Sequence, residues 1–271
     1  MDKCVATFPE EAVKEILLRC HVKSLLRFKC IYNNWYTLIK TLEFIQQHLN
    51  YSKNKPPQLL LYNSGNLLDD HDSRSLTLLS KDNPQTIKGM TYLLGSVDGL
   101  FFMTGVIDHV HLCALWNSAT REVRPLHLPP PIINHYPVFG LGLDPLTNDY
   151  KVVCYLSENA AAVYSCSRHS WKIFKPKKPL PFFIDVKHTF GIAYLNGAYY
   201  WLLNGESCTD YTILSFDFGS EMFEEIGGPD CHFDHSFVLG MMFLNDSIGI
   251  LNSNIDERFP YNIWVMIQPG V

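Results

Sequence analysis

Several things are scarce or missing in this 271-residue chain, and each absence removes a class of function. No run of eighteen apolar residues occurs, so no membrane-spanning helix is expected. The opening MDKCVATFPEE carries no apolar core, so no secretory leader is expected. The eight cysteines stand at 4, 20, 30, 113, 154, 166, 208 and 231 without a CxxC pair or a framework spacing. They read as reduced thiols of the cytoplasm or nucleus, several of them small buried hydrophobes. Also missing are a Gly-rich phosphate loop, G-x-S-x-G and H-E-x-x-H. The nearest approaches to a metal set are Cys231-His232 with His235, and His109 with His111, and neither supplies four ligands at zinc spacing. The expectation is therefore no enzyme, no metal and no cofactor.

What the chain has in quantity is apolar and aromatic residues: 47% hydrophobic, with 17 Phe, 14 Tyr and 5 Trp, against 18% charged. This excludes general disorder and favours sheet, because aromatics suit a pleated, half-buried surface. The net charge of −5 hides a division. Residues 1–57 hold 9 Lys and Arg against 5 Asp and Glu, a net of +4, whereas residues 58–271 hold 13 against 22, a net of −9. The acidic larger part argues against nucleic acid as a partner.

The first fifty residues follow a helical grammar. Thr7-Phe8-Pro9-Glu10 fits a capping box, Glu10 and Glu11 complement a helix N-terminus, and Arg19 falls in the last turn. Val13, Ile16 and Leu17 share one face, and Trp35, Leu38, Ile39 and Leu42 repeat at helical spacing. Ser24 is a candidate cap between them, which makes HVKSLLRFKC (21–30) a short middle helix. So small a unit has apolar residues beyond one face, among them Leu18, Leu26 and Phe28, and is best explained by a partner or by packing on the rest of the chain.

FPEEAVKEILLRCHVKSLLRFKCIYNNWYTLI, Phe8 to Ile39, resembles the F-box of plant F-box proteins. Ile16, Leu17, Arg19, Val22 to Leu25, Arg27 to Lys29, Trp35, Leu38 and Ile39 fall in the positions of that pattern. The resemblance implies a three-helix unit that inserts into a Skp-type adaptor and through it reaches a cullin. It assigns adaptor binding to Phe8, Pro9, Ile16, Leu17, Val22, Lys23, Ser24, Leu25, Leu26, Arg27, Phe28 and Trp35. The chain departs at Phe8 and Cys20, where the pattern has Leu, and at His21, where it has Pro. Losing the proline removes a fixed φ and a helix stop, so weaker docking is expected.

KNKPP (53–57) reads as a linker, and the organisation expected is a helical head over 1–50, a linker over 51–57 and a sheet domain over 58–271. In the sheet domain, Asp98-Gly99, Asn148-Asp149, Asn196-Gly197 and Asn245-Asp246 each interrupt a pair of apolar strands, at intervals of 50, 48 and 49 residues. Trp116, Tyr164, Phe216 and Trp264 keep step with them. A period near 49 with four strands per unit is the signature of propeller blades. PQLLLYNS (57–64) and RSLTLLS (74–80) add strands before the first unit. Asp144, Asp149 and Asp217 read as turn caps, and the basic run KIFKPKK (172–178) as a solvated loop between blades, contact with RNA or a partner being the alternative.

LWNSATREVRPLHLPP, FGLGLDPLTNDYKVV, YLNGAYYWL, ILSFDFGSEMFEEI and NIWVM resemble the F-box-associated, kelch-like domain of the same plant proteins, with the character of the S-locus F-box and S-locus-F-box-like group. The fold class implied is α+β multidomain: a helical F-box followed by an all-β kelch-like propeller. Relatives in that group continue well beyond the IWVM motif, so a truncated or incomplete propeller is expected. The function implied is that of the substrate-recognition subunit of a Skp–cullin–F-box ubiquitin ligase, which presents a protein target for ubiquitination and proteasomal degradation. The best-known members of the S-locus group act in pollen and recognise stylar S-RNases, basic secreted ribonucleases, and a net of −9 is compatible with a basic target. Two other readings stay open: a relative that binds a partner without ligase coupling, and a kelch-like enzyme. For the latter, no Tyr–Cys–His set is identifiable.

Overall fold

The head folds into four helices, one more than its sequence suggests: α1 (Glu10–Arg19), α2 (Val22–Phe28), α3 (Asn33–Lys40) and α4 (Leu42–Lys53). The computed structural model describes residues 9–54, 61–63, 75–79, 85–88, 92–107, 110–128, 138–179, 194–204, 211–227, 236–244, 246–254 and 261–266. Thr7 and Phe8 lie outside these, and the described start of α1 is Pro9, whose carbonyl accepts from the Val13 amide at 3.1 Å. The helical spacing through Leu42 breaks at Thr41, which turns extended and caps α4 by accepting from the Phe44 amide at 3.2 Å. Leu42 is thereby 75% exposed instead of continuing the apolar face of α3. Because α4 runs to Lys53, the first three residues of the 51–57 stretch are helical.

Ser24 is not a cap, since it lies inside α2. His21 takes the N-cap place with φ −66° and ψ 147°, and its carbonyl accepts from the Ser24 and Leu25 amides. That φ is the one a proline ring would impose, so the chain makes the same break without the ring. The break is also held from α4, where a ring nitrogen of His48 lies 2.9 Å from the Cys20 carbonyl oxygen. Leu17, Leu18, Leu25, Ile39 and Phe44 form the core of the head. Burying each of these contributes on the order of 1.5–3 kcal/mol.

The sheet domain is a succession of meanders. A three-stranded sheet, β1 (Leu61–Asn63), β2 (Ser75–Leu79) and β3 (Gln85–Lys88), comes first. Four blades of the repeat follow. Blade 1 is β4 (Tyr92–Val97), β5 (Leu100–Ile107), β6 (Val110–Asn117) and β7 (Val123–Leu126). Blade 2 is β8 (Val138–Asp144), β9 (Asp149–Ser157), β10 (Ala160–Ser165) and β11 (Ser170–Phe174). Blade 3 is β12 (Tyr194–Leu195), β13 (Ala198–Asn204), β14 (Tyr211–Asp217) and β15 (Met222–Gly227). Blade 4 shows β16 (Ser236–Leu244), β17 (Ser247–Asn254) and β18 (Tyr261–Met266). All neighbouring strands are antiparallel, and β4, β8 and β12 lie together on the inside while β7, β11 and β15 form the outer edges.

The repeat seen in the sequence is a repeat of backbone strain relieved by residue choice. Asp98, Asn148, Asn196 and Asp246, in the turn between first and second strands, all have positive φ, between 48° and 63°. Asp, Asn and Gly tolerate that left-handed conformation and other residues resist it. Asn245 lies outside the described residues. A second set, Arg121, His169 and Glu221, repeats the conformation between third and fourth strands. There the strain is offset by side-chain caps on turn amides: Asn117 on Ala119 and Thr120, Ser165 on Arg168, Asp217 on Ser220. The two turns of a blade are joined by one backbone hydrogen bond, Ser118 to Gly99, Cys166 to Tyr150 and Phe218 to Gly197. Both turn sets therefore sit at one end of the blades.

Blade stacking explains the glycines of FGLGLD. Gly140 and Gly142 face blade 3, whose Tyr199, Trp201 and Phe218 rings occupy the space a side chain would take. A Cβ on Gly142 would lie 1.9 Å from the Phe218 ring. Blade 2 has a core on each face: Leu141, Val152 and Cys154 pack with Phe102 and Leu115 of blade 1, and Val153 and Tyr155 with Trp201, Phe216 and Ile250 of blades 3 and 4. Trp116, Tyr164 and Phe216, in the same place on β6, β10 and β14, are all buried, and Trp264 on β18 is half-buried.

Candidate functional site

Two surfaces stand out. The first is the head. Packing of α1 and α3 on α4 buries Leu17, Leu18 and Ile39 but leaves Ile16 58% exposed, together with Ile31, Tyr32, Leu42 and Ile45. A helical unit of this size with so many large apolar groups in water has the composition of a docking surface. Phe28 and Trp35 stack edge to face at 5.7 Å between α2 and α3, half-buried, with Tyr32 on the other side of Trp35 at 5.9 Å. Lys23 and Arg27 project from α2 into solvent. The head is tied to the propeller through Asp98, which takes the Lys53 ammonium at 2.8 Å and the Tyr150 hydroxyl at 3.0 Å. Burial, then the charge of Asp98, pushes the Tyr150 phenol well above its ordinary value, so it stays a donor to that carboxylate.

The second surface is a cleft of about 340 Å³ between blades 2 and 3, at the end carrying the strained turns. On its floor Lys151, from β9, bonds Asp144 at 2.8 Å, Glu221 at 2.8 Å and the Phe218 carbonyl at 3.3 Å. Burial opposes ionisation of Asp144, but hydrogen bonds from Lys151, Thr147 and the Leu146 amide overcome it and hold the carboxyl down to about 2. For Lys151 the same contest ends with its pKa raised by Asp144 and Glu221. Glu221 also binds Lys172 at 2.6 Å, across the blade boundary. Asp149 accepts from the Ser165 hydroxyl at 2.5 Å and from the Ser167 amide at 2.8 Å. Thus Asp144, Asp149 and Asp217 do cap turns, and Asp144 also anchors within blade 2 the Lys151 ammonium that reaches Glu221 and the Phe218 carbonyl of blade 3.

The described residues hold no cluster of three metal-ligating side chains. His109, Cys231, His232 and His235 lie outside them. Burial pushes the Cys113 thiol up to about 12 and raises Cys154 further, which makes both poor nucleophiles. No helix of the described residues is long and apolar enough to cross a membrane.

Residues 60–269, most of the chain, match the F-box associated beta propeller domain. The chain belongs to that family. Residues 7–47 match the F-box domain, so the helical head is an F-box. Among curated relatives, the F-box/WD-40 repeat-containing protein 1 of Arabidopsis thaliana is 27% identical over 95% of this chain and 64% of its own length. An F-box/kelch-repeat protein of the same plant is 28% identical over 97% of this chain and 76% of its own length. The chain therefore spans about two thirds to three quarters of these relatives. A solved nidogen/laminin complex aligns with a TM-score of 0.44 at 11% identity, over 78% of this chain and 79% of that one, a likeness too loose to carry an argument.

Within the F-box, the residues assigned from the sequence separate into three layers. Pro9, Ile16, Lys23 and Arg27 are exposed; Val22, Ser24, Leu26, Phe28 and Trp35 are half-buried; Leu17 and Leu25 are buried in the F-box core. Phe8 lies outside the described residues. The surplus apolar surface expected at Leu18 is likewise core, and exposure falls instead on Ile16, Ile31 and Leu42. The inter-blade cleft was not foreseen, since Lys151 and Glu221 are seventy residues apart and no local pattern links them.

Proposed function

We propose that this chain is the substrate-recognition subunit of a Skp–cullin–F-box ubiquitin ligase. The observation that carries the reading is the coincidence of an F-box match over 7–47 with a folded helical unit whose Ile16 side chain stands in solvent. The F-box binds a Skp-type adaptor and through it a cullin, while the propeller binds a protein target. The chain does no covalent chemistry in this role. It holds target lysines near a ubiquitin-loaded enzyme and so raises their effective concentration. Such a complex works in the cytoplasm or the nucleus.

The finer reading, an S-RNase target in pollen, draws its support from the S-locus character of the sequence and from the −9 net charge of residues 58–271, which favours a basic partner. Titration calorimetry of the folded chain with a purified Skp-type adaptor tests the proposal. Ile16→Asp should abolish binding while the helical circular dichroism stays intact, since the residue is exposed in the free protein. Unchanged affinity in that variant would remove Ile16 from the docking surface, and no heat for the parent chain would sink the ligase reading.

A further inference from the structure

We infer that the basic outer edge of blade 2 and the mouth of the blade 2–3 cleft form a docking surface for an acidic protein segment. Three observations lead there. The first is charge segregation: the acidic domain carries no Asp or Glu between Glu158 and Asp185, yet that interval holds Arg168, Lys172, Lys175, Lys177 and Lys178. All five are exposed. Lys172 meets Glu221 and Lys177 donates to the Met222 sulfur at 3.2 Å, while no ion pair joins Arg168, Lys175 or Lys178 to a described carboxylate.

The second is the hydrogen-bond balance of the cleft. Its acceptors are consumed: Asp144 by Lys151 and its own turn, Asp149 by Ser165 and Ser167, Glu221 by two lysines. Its donors are not. The Arg168 guanidinium and the Ser170 hydroxyl, both lining the cleft, bond no described residue, and Lys172 has spent one of three donors. A ligand that fits must bring acceptors, which a carboxylate does in a geometry suited to guanidinium.

The third is the edge itself. Among the described residues β11 pairs only with β10, leaving its outer backbone groups open. Lys172 on this edge, with Lys175, Lys177 and Lys178 just beyond its end, discourages pairing with neutral or basic strands and leaves an acidic strand admissible. Strand β11 ends at Phe174 and the chain bends at 177 and 178, so the strip from Lys172 to Lys178 is shorter than the roughly 20 Å of a fully extended run but still takes several residues of a docked segment. A nucleic acid fits less well, since its continuous backbone charge would run past Glu224 and Glu225 on blade 3. A peptide can place its carboxylates to miss them.

As a recognition surface the strip rests on the receptor reading above and concerns a local acidic segment, which a target of basic net charge can also carry; its test needs no adaptor, so either can fail alone. The full chain is titrated with a fluorescent Glu/Ser-repeat peptide of about twelve residues, which spans such a strip. Its Gln/Ser counterpart, a single-stranded RNA of equal length and inorganic phosphate are run in parallel. The expected result is binding of the Glu peptide alone, weakened about tenfold or more by Arg168→Gln with Lys172→Gln. Lys175→Gln with Lys177→Gln and Lys178→Gln, remote from the Glu221 ion pair, should weaken it as well. Removing equal charge elsewhere, by Lys40→Gln with Arg121→Asn, should leave it within about twofold. No binding of the Glu peptide, losses in the Lys40/Arg121 control as large as in the strip variants, tighter binding of RNA, or phosphate competing as well as the peptide would each overturn the inference.

Discussion

Replacing Lys151 by Met removes the ammonium from the floor of the cleft while keeping an unbranched apolar stem. The Asp144 carboxylate, 2% exposed, then loses a cation 2.8 Å away. Glu221 suffers less, because it keeps Lys172 at 2.6 Å and is 21% exposed. Breaking a buried pair from one side costs about 3–5 kcal/mol. Asp144 retains the Thr147 hydroxyl at 2.6 Å and the Leu146 amide at 2.8 Å, which puts the expected loss at the lower end, about 3 kcal/mol. Asn at 144 keeps an oxygen for the turn amides and leaves Lys151 with Glu221, so the double variant Lys151→Met, Asp144→Asn should cost about 2 kcal/mol less than the sum of the singles. Urea unfolding followed by tryptophan fluorescence measures this, with Trp201 in the adjoining blade face as a reporter. A Lys151→Met variant within about 0.5 kcal/mol of the parent, or strict additivity, would refute the claim that the Lys151–Asp144 pair holds the cleft floor together.

Acid should act on the same pair. Asp144 has a folded pKa of about 2, below its unfolded value, so its contribution is complete above about pH 4 and is lost as the pH falls toward 2. The parent should lose about 2 kcal/mol from this group across that window, and the Lys151→Met variant less, so their urea midpoints should converge in acid. His21→Pro should stabilise the F-box by about 0.4–1 kcal/mol, because φ is already −66° and Cys20 before it is extended, as a residue preceding proline must be. A lower melting temperature in that variant would contradict the geometry of the α1–α2 break. Gly142→Ala drives a methyl into the Phe218 ring and should cost about 3 kcal/mol, with Phe218→Leu restoring part of it. An Ala variant as stable as the parent would show that blades 2 and 3 are not in that contact.

The blade period was legible because each hairpin needs a residue that accepts positive φ, and Asp98, Asn148, Asn196 and Asp246 meet that need locally. The second set of strained turns was not, because Arg121, His169 and Glu221 carry no such signature and depend on caps three or four residues upstream. In the F-box, helical spacing carried through Thr41 hid a helix start that its hydroxyl and Glu43 announce. Spacing alone also could not rank Ile16 against Leu25, since both recur on helix faces and only packing buries one. The cleft has no local signal at all: its charges come from β8, β9, the β10–β11 turn, β11 and the last turn of blade 3, brought together by stacking.

The central claim is best tested by co-expressing the full chain with a Skp-type adaptor and a cullin and measuring the mass of the purified assembly. A ternary complex with one copy of each, lost on Ile16→Asp, is the result the account predicts. A folded chain that elutes apart from adaptor and cullin would contradict it.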